Sequence, residues 1–361
     1  MKIHHNLFYA CLLGITFAAC RDQISVPPSG GRTSNSITEG IVFTHTGSGN
    51  NLISTFDSNG REVVLFTNGT VADALPNGTM LWSVGSLPDS TGHADMMPGL
   101  LVADSTGVYH TVTASFISQP GPVLSPDGKL VAYTVEIGTL PNVIRHIHVV
   151  NIDGTADHDV YAGVDYSSEM QFSPDGSRLA FFGLPVTGNT DTLSMIDFRR
   201  MTPKLEIIPI ATAERPYGIL SMQWSSKDDL AYRDGNSVRV NSPAGGYVNV
   251  YVDEGSPVGW SPDGTTLAYA HANPPGPQFE LYLTSDFGKT KTELTNTTMF
   301  NEEDAHWSPD GTKILSTGFP VGSTTMDWSL EEIDVQTKSI QVLGKNGVGF
   351  GYFTKLSKSY H

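Results

Sequence analysis

One short phrase, written repeatedly, limits this chain more than any other feature. "LSPDGKLVAY" begins at Leu124, "FSPDGSRLAF" at Phe172, "WSPDGTTLAY" at Trp260 and "WSPDGTKILS" at Trp307. A worn copy, "WSSKDDLAY", starts at Trp224 and is one residue shorter; "LPNGTMLWS" from Leu75 is a more distant one. The serines fall at 125, 173, 225, 261 and 308, in steps of 48, 52, 36 and 47. Each phrase encodes a tight reversal between two strands. Proline sets the torsion of the first corner, aspartate can bond neighbouring amides, and glycine accepts a left-handed conformation. A three-residue loop ending in such a glycine is a favoured hairpin. The aromatic before the serine and the apolar pair after the turn are then expected to pack between sheets.

Further along each unit a second hairpin follows. "RHIHVVNIDGTADHDVYAG" reads strand, turn at Asp153-Gly154, strand, and "ELYLTSDFGKTKTELT" does the same around Asp286 to Gly288. Strand-forming residues are plentiful, Gly and Pro recur at short intervals, and no segment keeps helical periodicity over several turns, so the chain reads as all-β. Four strands per unit at a period near 45 residues is the signature of a β-propeller. Seven units are expected, at about 40–68, 75–115, 120–163, 168–212, 220–253, 256–296 and 303–345, with six or eight as the alternatives because the second unit is degenerate. The first unit offers only three strands, whereas "GVGFGYFTK" (347–355) is a strand with no blade of its own. The economical expectation is that this C-terminal strand becomes the inner strand of the first blade, sealing the ring and removing an exposed edge.

These residues resemble the TolB-type propeller repeat, W/F-S-P-D-G followed by an apolar–Ala–aromatic strand, in four good copies and two weak ones covering most of the chain after residue 70. The resemblance is specific for fold and nearly silent on activity. The family includes the periplasmic Tol-system protein, which is a protein-binding scaffold, propellers attached to serine peptidases, and pectin-fragment lyases. No G-x-S-x-G elbow occurs in the chain, so the catalytic domain of the peptidase relatives is not expected.

The N-terminus argues for export. "MKIHHNLFYACLLGITFAAC" has a charged start, an apolar run from Leu7 to Ala19, and small residues before Cys20. That run is short for a membrane span, which needs about 20 apolar residues. "FAAC" resembles the lipobox of bacterial lipoproteins, which implies cleavage before Cys20 and lipid on its sulfur. The organisation expected is thus a signal over 1–19, a lipidated cysteine and flexible tether over 20–38, and a propeller over 39–361. Cys11 and Cys20 are the chain's two cysteines, so the body has none for a disulfide, a thiolate nucleophile or a cysteine-bound zinc. A net charge of −16 repels phosphate backbones and anionic lipid, so nucleic acid is not an expected partner.

If the "SPDG" turns share one side of the disc, the second-to-third-strand loops share the other. Those loops include "VGSLPDSTGHADMMPG" (84–99), "EIGTLPN" (136–142), "GLPVTGNTD" (183–191), "HANPPGPQ" (271–278) and "GFPVGSTTM" (318–326). They are long and individually different, which is where binding usually sits on a rigid scaffold. The expected partner is a protein or carbohydrate met there by a monomer, with Met96 and Met97 as adaptable contacts. Glu302, Glu303, Asp304 and His306 enter the last inner strand and could face a cation or a basic partner; a solvated connection is the plainer reading. Just before each aromatic stand Val123, Gln171, Gln223, Gly259 and His306, so Gln171, Gln223 and His306 could ring the channel. The lyase resemblance implies a His- and Gln-bound metal in that region, but no three-histidine set is present, so no metal or cofactor is expected. His146 and His148 share a strand face without an evident third zinc ligand. Asn151, Asp153, Asp157 and Asp159 read as a hairpin turn rather than a calcium loop. A non-enzymatic binding module is the reading these residues favour, and a polysaccharide lyase or hydrolase acting in the channel is the alternative.

If Cys20 carries the lipid, Cys20→Ala abolishes both fatty-acid labelling and membrane retention while the body stays folded. An unlabelled wild-type protein would refute the anchor.

Overall fold

The structure is a computed structural model. It describes residues 40–354 except 47–50, 58, 68, 85–98, 104–108, 114–120, 140–141, 164–168, 184–191, 199–203, 210–220, 236, 243–245, 253–254, 274–277, 287, 298–299, 321–327 and 346. Seven antiparallel sheets of four strands each are formed. Their inner strands are Val348–Thr354 (blade 1), Gly69–Ala74 (blade 2), Val123–Leu124 (blade 3), Met170–Phe172 (blade 4), Met222–Trp224 (blade 5), Ser256–Trp260 (blade 6) and Phe300–Trp307 (blade 7). Each inner strand neighbours the next around the axis, and Phe300–Trp307 neighbours Val348–Thr354, so the ring is complete. No helix among the described residues is long and apolar enough to cross a membrane.

The repeated phrase does more than turn the chain. In blade 3, Gly128 N–H donates to Ser125 O at 2.8 Å and Gly128 takes φ +68°, as the left-handed corner requires. The serine hydroxyl is the hub of the turn. Ser125 Oγ donates to Asp127 Oδ1 (2.7 Å) and accepts from Leu130 N (2.9 Å), and the arrangement recurs at Ser173, Ser261 and Ser308. These serines are buried, so their hydroxyls satisfy groups that water cannot reach. In the worn copy Asp228 takes the glycine's place at φ +71°, and Ser225 N pairs with Asp229 O, one residue sooner than in the full turn. Aspartate tolerates that region better than most side chains.

The apolar–Ala–aromatic run that follows is the second strand, and both of its faces are buried. Leu179 and Phe181 pack into the seam with blade 3, while Ala180 and Phe182 pack into the seam with blade 5. Leu230 and Tyr232 against Ala231, and Leu267 and Tyr269 against Ala268, repeat the division. Large residues face the preceding blade and alanine faces the following one, so neighbouring sheets interlock at close approach. Seven apolar clusters result, one in each seam.

Closure follows the expected route. Val348–Thr354 pairs antiparallel with Gly40–Thr46, placing Gly40 opposite Thr354 and Phe353 opposite Ile41. Thr354 Oγ1 donates to Leu75 O (2.7 Å) and Tyr352 Oη to Ala72 O (3.1 Å), hooking the C-terminal strand onto blade 2. Gly351 lies close to blade 7: a Cβ there would come within 2.8 Å of Leu330 Cδ1. Because inner strands end at the "SPDG" side, the described chain both begins and ends on that side, at Gly40 and Thr354.

Two expectations need correction. The second blade begins at Gly69 rather than near 75, because its inner strand precedes the "LPNG" turn. The stretch 136–142 is not a loop: Leu130–Thr139 and Asn142–Asn151 are ten-residue strands paired up to Thr139–Asn142, with Ile137 and Ile144 opposite each other and exposed. Hydrogen bonding along a long hairpin evidently outweighs the Gly and Pro signals at its tip.

Removing the chain after Gly344 takes away the inner strand of blade 1, and should lower the melting temperature sharply. The loss should reach several kcal/mol, a large share of a typical 5–15; a truncated protein melting like the full one would show closure by other means. The turns also set an acid limit. The Ser173 hydroxyl holds Asp175 down to about 2, and the Ser308 hydroxyl with the Thr312 amide holds Asp310 down to about 2. Depressed carboxyl values contribute stability that is present above the unfolded value near 3.8 and lost as pH falls toward 2. Melting should therefore decline between pH 4 and 2, and less so in Asp175→Asn/Asp310→Asn; equal decline in both would remove the turns as its cause.

Candidate functional site

A cavity of about 380 Å³ lies on the axis at the "SPDG" end, between the ends of the inner strands. Trp224, Trp260 and Trp307 line it from blades 5, 6 and 7, Tyr352 and Phe353 from the closing strand, and Pro76, Pro262 and Pro309 from three turns. These are the aromatics expected only to pack between sheets. Each does pack on a seam cluster, yet each stays half-buried. At the same repeat position blades 3 and 4 carry Leu124 and Phe172, both buried. The repeat is symmetric in its turns and asymmetric in its lining, so the aromatic arc occupies one side of the ring.

The indoles are held in place. Trp260 Nε1 donates to Gln223 O (3.1 Å) and Trp307 Nε1 to Gly259 O (3.2 Å), each reaching the residue before the preceding blade's tryptophan. Trp224 Nε1 is buried without a partner, and the Arg178 guanidinium covers the Trp224 ring at 4.7 Å. Side chains also cap the inner strands' axial amides. Asp73 Oδ2 accepts from Leu124 N (2.8 Å), Glu169 Oε2 from Met222 N (3.0 Å) and Gln171 Oε1 from Trp224 N (2.8 Å).

The expected channel residues divide accordingly. Gln171 and Gln223 do meet, through a long Nε2-to-Oε1 bond of 3.4 Å, and His306 stacks on Tyr352 with ring centres 4.4 Å apart. Gln223 and His306 line the cavity. Glu302, Glu303 and Asp304 belong to the inner strand of blade 7 rather than to a connection, with a bulge between Glu302 and Asp304, and their side chains lie outside the described part. Met96 and Met97, most of the long loops, and Cys20 with the tether also lie outside the described residues.

A His- and Gln-bound metal does not fit this geometry. The Gln171 amide oxygen is committed to Trp224 N and that of Gln223 to Gln171. Among the described residues no three or more His, Cys, Asp or Glu side chains are grouped to hold a metal ion. On blade 3, His146 Nδ1 meets Asp159 Oδ2 at 2.6 Å, tying two strands together, and His148 Nδ1 meets Asp157 Oδ1 at 3.0 Å, tying its strand to the turn. Asp153 serves its turn by accepting from Thr155 N and Oγ1.

Asp73 went unrecognised in the sequence, because its strand precedes a turn lacking the signature serine. Burial raises its carboxyl above the ordinary range, while the Leu124 amide and the charge of nearby His306 pull the other way. Asp73 and His306 therefore form the one acid–base neighbourhood identified beside the cavity.

Neither a family model nor a curated protein sequence matches the chain. Solved structures do. TolB from Acinetobacter baumannii is similar at 14% identity and a TM-score of 0.50, over 88% of this chain and 66% of that one. An oligogalacturonate lyase in complex with manganese is similar at 14% identity and 0.53, over 86% of each. A prolyl endopeptidase is similar at 11% identity and 0.58, over 86% of this chain and 49% of that one. The chain thus spans about two thirds of that TolB structure and about half of the peptidase. With its seven four-stranded blades and these likenesses, the chain has the TolB-like β-propeller fold.

Proposed function

We propose that this chain is a non-enzymatic binding propeller of the cell envelope, anchored through lipid on Cys20, that captures a protein or glycan group in its axial cavity. The observation carrying this reading is the fixed aromatic arc of Trp224, Trp260 and Trp307 around a concave space whose lining mixes apolar and polar surface. Such a lining suits recognition: broad apolar faces supply contact area, and Gln223 and His306 supply direction. The lining contains no carboxylate, lysine, serine or cysteine, and His306 and Tyr352 are its groups able to move a proton.

One observation supports a second reading as polysaccharide lyase or hydrolase. His306 lines the cavity and is electrostatically coupled to Asp73 behind it, so it is the group that could exchange a proton with a bound substrate.

The binding reading implies that Gln223→Ala and His306→Ala weaken capture of envelope components on immobilised protein by about tenfold each, with melting little changed. Replacing Glu302, Glu303 and Asp304 together by alanine probes the loop end of the same inner strand. Loss confined to that triple variant would move the binding site to the loop face. Turnover of an oligosaccharide that disappears in Asp73→Asn would establish the enzymatic reading instead.

A further inference from the structure

The axial cavity also limits the chemistry of its occupant. We infer that it takes the uncharged end of a carbohydrate chain, about one or two sugar rings long; this rests on the cavity being the binding site. Three observations converge.

The first is charge. The lining holds no carboxylate, lysine or arginine; His306 and Tyr352 are its titratable side chains, so neither a cation nor an anion meets a permanent counter-charge there. The −16 net charge of the chain further disfavours an acidic ligand.

The second concerns peptides. An extended peptide usually binds by adding to a strand edge, where main-chain hydrogen bonds give the affinity. Here the axial edge is already engaged: Asp73 accepts from Leu124 N, Glu169 from Met222 N and Gln171 from Trp224 N. Trp260 and Trp307 further occupy the carbonyls of Gln223 and Gly259. At these positions on blades 3, 5 and 6 a peptide arriving on the axis would find the backbone already engaged.

The third is the match between lining and hydroxylated rings. With their N–H groups turned to backbone, Trp260 and Trp307 offer only ring surface, which suits the apolar C–H faces of a sugar. Gln223 keeps an amide nitrogen with no protein acceptor among the described residues, a donor aimed at a hydroxylated ligand while its oxygen stays with Gln171. Sugar hydroxyls, which donate and accept, are the natural complement. A volume of about 380 Å³ is at the small end of ligand sites, roughly 300–1,000 Å³, so a chain end fits better than a long segment.

Three of the chain's five tryptophans line the cavity, so intrinsic tryptophan emission reports on its occupancy. The probes are maltose, cellobiose and N,N′-diacetylchitobiose, with digalacturonate and a proline-rich peptide as contrasts. At least one neutral disaccharide should give a saturable change, weakened about tenfold by Gln223→Leu and by His306→Ala, and digalacturonate should bind less tightly. Gln223→Leu nearly preserves volume, and Trp260→Phe, which keeps an aromatic face, should retain most of the binding; thermal melts confirm that each variant is folded. A response to the peptide alone would overturn the carbohydrate inference and leave the cavity as the binding site. Sugar binding indifferent to all three substitutions would overturn both. Silence toward every disaccharide at millimolar concentration would overturn the carbohydrate inference.

Discussion

Everything in this molecule depends on the second strand of each blade being buried on both faces. A sheet with one apolar face can pack on one neighbour, but a blade has two, so its central strands carry apolar residues on both faces. The Leu–Ala–aromatic order settles which blade each side chain serves. Alanine toward the following blade leaves room for the larger residues arriving from it in four seams, Val42, Leu81 or Leu315 takes its place in the other three, and the seven seams close into a ring. A repeat protein built linearly can end on a polar cap; a ring cannot, and the strand Val348–Thr354 satisfies the final seam by joining a blade that the other end of the chain began.

The axial cavity is a by-product of that closure. Seven inner strands cannot meet at a point, and the space they leave at the turn end is shaped by whichever residue precedes each signature serine. Where it is Leu124 or Phe172 the side chain withdraws into a seam; where it is tryptophan, the side chain is too large to withdraw fully. The indole N–H groups of Trp260 and Trp307 find their partners in the preceding blade. Binding surface and blade-to-blade adhesion are thus made by the same residues.

Much of the architecture was legible because its causes are local. Pro-Asp-Gly turns, alternation around Ala180 or Ala268, and a spare terminal strand each carry their own signal in a few residues. What escaped notice was either non-local or degenerate. The inner strand at Gly69–Ala74 was missed because its turn lacks serine, and Asp73 was missed with it. The serine hydroxyl's role as turn hub depends on an amide five residues on, which spacing alone does not reveal. Gln171 and Gln223 were recognised as neighbours around the channel from the repeat register, but not that one caps the other's strand. The cavity itself is a difference between blades, and a search for what the copies share looks past it.

Gly40 and Thr354 face each other at the rim of the turn side, one pairing step from Ile41 and Phe353, and Phe353 is part of the cavity wall. Chain entering the disc and chain leaving it therefore pass the same doorway. Attachment and access are therefore linked: a pull on both ends falls on the pairing of Gly40–Thr46 with Val348–Thr354, the strand that carries part of the cavity wall.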